Sequence, residues 1–154
     1  MEHLTWQRLT LIGGVTLTLA WLITRVAVGD GYTPMAIPIT LPLVCAVGGA
    51  AALVLAWPVR QFQRGKRPGL DPLRAARAAV FAQACAYAGV LLASGCVGYA
   101  IGVAAEWEHA PRRDVAISAL VAALGGLALL VAGAIAEHWC RTKPPEDPKP
   151  APAP

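Results

Sequence analysis

The charged residues of this chain come in bunches, and the stretches between them are long and apolar. Residues 9–24, 31–59, 78–105 and 115–136 contain no Asp, Glu, Lys or Arg. A helix that crosses a hydrocarbon core of ~30 Å needs about 20 apolar residues. The last three stretches are long enough as they stand. The first is completed by Val26, Ala27 and Val28 beyond Arg25, whose guanidinium can snorkel to the headgroups while its stem stays in lipid. The pattern predicts helices over residues 7–28, 36–57, 72–105 and 114–138, an all-α fold in the form of a four-transmembrane-helix bundle. Membrane strands would run about 10 residues with alternating polarity, and residues 127–132 show none. The first span carries only Arg8 against Glu2 before it and no small-residue cleavage site after it, so it is expected to be an uncleaved signal anchor.

Charge then orients the spans. Arg8, Arg60, Arg64, Lys66, Arg67, Arg74, Arg77, Arg141, Lys143 and Lys149 fall on one side of the expected layout, and Arg25, Arg112 and Arg113 on the other. Lys and Arg accumulate on the cytoplasmic side, so both termini and the middle loop are expected there, in the cell (inner) membrane. Trp6, Trp57 and Trp139 mark the inner boundary, with Tyr32 and Trp107 at the outer one, as interfacial aromatic belts require. The basic loop 60–77 serves topology first. It also suits anionic lipid, at about 1 kcal/mol per basic residue near the surface. The net charge of +4 therefore gives no reason to expect nucleic acid, and no basic patch interleaved with stacking aromatics points to one.

Local signals refine the helices. Asp71 and Pro72 read as N-cap and N1 of the third helix, which continues through Arg74 and Arg77. At 1.5 Å per residue it would be about 50 Å long, so its first turns project beyond the lipid. Pro34, Pro38 and Pro42 open the second helix at four-residue spacing; Pro42 predicts a lost hydrogen bond and a kink near Ile39. Ladders of small residues run through Gly48, Ala52 and Ala56, through Ser94, Gly98 and Gly102, and through Ala128, Ala132 and Ala136. Such rows let helices approach closely in lipid, within one chain or between copies.

Composition agrees with the pattern: 56% of residues are hydrophobic and 14% charged, against about 25% charged in soluble domains. Mean hydropathy is +0.54. Candidate chemistry is sparse. No ionisable residue lies near a bilayer midplane, where pumps and transporters keep them; Gln83 is the strongest polar residue within a span and is expected to bond a neighbouring helix. Cys45, Cys85, Cys96 and Cys140 form no CxxC, and His3, His109 and His138 are far apart, so neither a metal nor another cofactor is expected. No nucleophile elbow, phosphate loop or dinucleotide fingerprint occurs, and an enzyme is not expected. The exception is the block Glu137, His138, Trp139, Cys140 and Arg141, on the side where Arg74 and Arg77 begin the third helix. An Arg77–Glu137 ion pair is expected to tie helices three and four together, the alternative being two separately solvated charges. The tail over 142–154, rich in proline, is expected to be disordered and cytoplasmic.

Residues 67–77, centred on Asp71, Pro72, Arg74 and Arg77, and the block Glu137, His138, Trp139, Cys140, Arg141 resemble segments of an actinobacterial membrane-protein family, domain of unknown function 3180. The resemblance in layout runs over residues 9–141. It implies a multi-pass inner-membrane protein, often encoded near folate-biosynthesis genes, and supplies no catalytic residues. The expected function is that of a structural or accessory membrane protein assembling with membrane or cytoplasmic partners. The alternative is a small solute transporter or channel acting as a homo-oligomer, although such proteins usually keep an acidic residue within a span.

Overall fold

The computed structural model describes residues 6–63, 72–104 and 110–140. They form α1 (Trp6–Gly29), α2 (Thr40–Gln63), α3 (Pro72–Ala104) and α4 (Ala110–Cys140). Each contains a segment long and apolar enough to span a membrane. Trp107, Arg141, residues 64–71 of the basic loop (Asp71 among them) and the C-terminal tail lie outside the described residues.

Helix α1 stops where glycine permits a left-handed residue. Gly31 has φ of 84°; its N–H reaches the Val28 carbonyl and the Tyr32 N–H reaches that of Ala27, the paired bonds of a Schellman cap. Helix α2 begins at Thr40 rather than at residue 36, because residues 32–38 are irregular rather than helical. The Pro38 carbonyl accepts the Leu41 N–H at 3.1 Å, so Pro42 sits in the first turn and its missing donor interrupts nothing. The kink expected near Ile39 is thus a helix start. The internal proline is Pro58, which cannot donate to the Val54 carbonyl, and α2 runs past it to Gln63 instead of ending at 57.

Helices α3 and α4 are antiparallel neighbours at the centre. Helix α1 packs on α3, and α2 packs on α4 and touches α3; among the described residues α1 contacts neither α2 nor α4. The central seam is set by glycine. A Cβ on Gly89 would overlap the backbone of Leu130, one on Gly126 would lie 2.7 Å from the Ala93 nitrogen, and one on Gly133 would lie 2.6 Å from that of Ala86. The outer pairs are parallel: Gly98 and Gly102 abut Leu17 and Thr24, whereas Gly49 and Gly125 abut Ala132 and Pro42. Directions therefore alternate along the chain, as consecutive membrane crossings require.

The packing inverts that of a water-soluble protein. Ala56, Ala82, Ala86, Ala119 and Ala136 are fully buried, whereas Leu43, Val54 and Leu124 are more than 60% exposed. Water would drive the larger side chains inward. In lipid no such drive acts between helices, and small residues that permit backbone contact take the interior.

The outer helices are displaced in opposite directions along this pair. Gly13 lies beside Val90, so α1 begins level with about residue 84 of α3, roughly three turns beyond the start of that helix. Pro42 lies beside Gly125, so α2 begins well short of the other end of α3, and residues 33–39 fill the gap. There the Tyr99 hydroxyl donates to the Met35 carbonyl at 2.9 Å. The Ile37 N–H donates to Ser118 Oγ at 3.1 Å, and that hydroxyl donates to the Val115 carbonyl at 2.7 Å. Pro34 and Pro38 bring no N–H that would need a partner near lipid. Ile37 and Leu41 pack against Cys96, Ala122 and Ala123 beneath.

Gly89→Ala is expected to lower the midpoint of denaturation in detergent by the equivalent of about 1–3 kcal/mol, the usual cost of overpacking. Gly14→Ala, where a Cβ meets nothing within 4 Å, should leave it unchanged or raise it by up to ~1 kcal/mol. Tyr99→Phe should cost about 0.5–1.5 kcal/mol and speed hydrogen exchange at Ile37 while leaving α3 protected.

Candidate functional site at the Trp139 end

At one end of the molecule α2 and α4 finish and α3 begins. Trp57 and Arg60 stand three residues apart on α2, hence on one face, and Trp139 arrives from the last turn of the parallel α4. Ala56 and Ala136, both fully buried, let these turns come together. The Trp57 and Trp139 rings meet edge to face with centroids 6.1 Å apart and planes at 77°. The Arg60 guanidinium carbon lies 4.4 Å from the centroid of the Trp139 ring. Such a cation–ring contact contributes about 0.5–1 kcal/mol when exposed and ~2 when dry; Arg60 and Trp139 are both half-buried. Trp139 and Cys140 also lie against the cluster of Ala52, Ala56, Ala82 and Ala136.

The helix splits the Glu137-to-Cys140 block by face. Glu137 is 7% exposed, one turn beyond Gly133, on the side of α4 that meets α3. It is an engaged group rather than an orphaned charge, as a buried carboxylate must be. His138 points outward and is exposed. Among the described residues no group of three or more His, Cys, Asp or Glu could hold a metal ion.

Arg77 and Glu137 are placed at the same end, Glu137 buried and Arg77 exposed. Ala78, buried at 7%, occupies the face of α3 that meets α4. Arg77, about 100° around the helix from it, is exposed and lines an open groove with Ala76, Val80, Phe81 and Ala84. Pro72 opens α3 and Arg74 lies in its first turns, its side chain outside the described set. Gln83 is half-buried on α3.

The sequence reading placed Trp57 and Trp139 at one boundary but assigned Arg60 to the loop. The missed signal was the three-residue spacing of Trp57 and Arg60, which matters only if α2 continues through Pro58. A double-mutant cycle with Arg60→Gln and Trp139→Leu is expected to give a coupling of about 0.5–2 kcal/mol, read from denaturation in detergent.

Four long apolar helices, a small-residue interior and bulky side chains facing outward define a multi-pass membrane protein. The chain belongs to the DUF3180 family of proteins of unknown function, which matches residues 9–144. No curated protein and no solved structure matches it.

Proposed function

We propose that the protein is a structural or accessory component of the cell membrane, with the Trp139 end and both termini facing the cytoplasm. The observation that carries this reading is the α3–α4 seam. Gly89, Gly126 and Gly133 bring the two central backbones into contact, and the side chains around them are alanine, cysteine and leucine. A solute path through the centre would need polar or ionisable groups facing a cavity, and this seam is packed shut with apolar atoms. The charged side chains sit at the ends of the spans instead, where a partner at the membrane surface can reach them.

The orientation rests on the ten basic residues on one side of the spans and on the alternating helix directions. The reading is tested by cross-linking the tagged full chain in its native membrane, extracting it in mild detergent and purifying it through two affinity steps. A second polypeptide in stoichiometric amount is the expected result. A chain recovered alone, or a homo-oligomer that carries solute into liposomes, would overturn it.

A further inference from the structure

The stretch of α3 that precedes its contact with α1 is shaped like half of an amphiphile's binding site. Ala76, Val80 and Ala84 follow one another at four-residue spacing and form a floor, and Arg77 and Phe81 form a parallel row beside it. Together they line an open groove of about 410 Å³. Arg77 stands at the end of the groove nearer the start of α3, and it is the sole charged residue among the described residues lining it. From Arg77 to Ala84 the groove runs about 10 Å along the helix axis.

Its depth is fixed by its neighbours. The α3–α4 register that sets Gly133 against Ala82 and Ala86 puts Trp139 level with the first turns of α3, close to Arg77. Tryptophan residues of this kind lie at headgroup level. Arg77 is therefore at the height of lipid phosphates, and Val80, Phe81 and Ala84 lie at the height of the glycerol and the first carbons of the acyl chains. A guanidinium matches a phosphate in charge and in bidentate geometry.

We propose that this groove binds one anionic phospholipid, its phosphate on Arg77 and the upper part of an acyl chain along Ala76, Val80, Phe81 and Ala84. The arrangement favours a lipid over a peptide: the charge is confined to one end, and the remaining lining residues are all apolar. This goes beyond a diffuse attraction of the loop for a charged surface, because it places the site on one face of α3. It stands whether or not the protein has an accessory role.

The test is native mass spectrometry of the delipidated full chain titrated with phosphatidylglycerol or phosphatidylcholine. Phosphatidylglycerol should be retained about fivefold over phosphatidylcholine, the factor expected for one basic residue at the surface. Arg77→Gln should abolish the preference and Arg77→Lys should keep part of it. Ala84→Phe, which fills the groove, should reduce retention of both lipids. Arg113→Gln, exposed at the opposite end, should change nothing. All three positions are exposed, so the variants should keep the parent's denaturation midpoint. An Arg77→Gln protein that still prefers phosphatidylglycerol would overturn the proposal. So would an unaltered Ala84→Phe protein, displacement of the lipid by millimolar inorganic phosphate, or tighter lipid binding once residues 2–5 are deleted, which would make that segment the occupant.

Discussion

Backbone contact between α3 and α4 is the constraint on which the rest of the molecule depends. Two helices held this close need glycine at each crossing, because even one methyl group at Gly89 would overlap the Leu130 backbone. In lipid the contact has no hydrophobic drive behind it, so dispersion between well-matched surfaces and weak polar contacts must hold it. Both decay steeply with distance. A seam of this kind tolerates almost no separation, and it fixes the register of everything attached to it.

That register explains why the outer helices can be displaced in opposite directions. Each rests on one principal neighbour: α1 on α3, and α2 chiefly on α4. Neither has to match the other's height. The displacement leaves two gaps, and the chain treats them differently. Beside Tyr99 the gap in front of α2 is occupied by residues 33–39, held by side-chain hydrogen bonds from α3 and α4. Below the start of α1 the face of α3 around Arg77 stays open.

Much of this was legible in the sequence, and the failures share a cause. The four spans follow from apolar runs against bilayer thickness, a one-dimensional property. The ends of α1 and α3 were found to within a residue or two, since a cap or a proline fixes them locally. The ends of α2 were not: Pro42 was expected to kink a helix begun at residue 36, whereas Tyr99 and Ser118, distant in sequence, hold Met35 and Ile37 outside it, and α2 continues through Pro58. The ladders of small residues were visible too. Ser94, Gly98 and Gly102 include the residues that receive α1, yet the central seam uses Gly89, Gly126 and Gly133, which belong to none of them. In a chain so rich in alanine and glycine, composition does not reveal which row faces which helix. At the Trp139 end the shared membrane boundary of Arg77 and Glu137 was readable, but for the same reason the rotation that leaves Arg77 exposed and Glu137 buried was not.

The distribution of chemistry follows from the same physics. A centre closed by glycine has no space for a hydrated group, and an uncompensated charge there would cost several kcal/mol. Polar work is therefore pushed to the ends, where side chains reach water or headgroups. At the Trp139 end three helices converge while α1 stops short. Arg60 is thereby fixed against Trp139, Glu137 is buried, and Arg77 is left exposed on the outside of α3. Three charged residues within a few turns thus have three different environments, set by which helix face each occupies. A surface so differentiated can engage several kinds of neighbour at once, which suits a component that assembles with others better than one that works alone through its core.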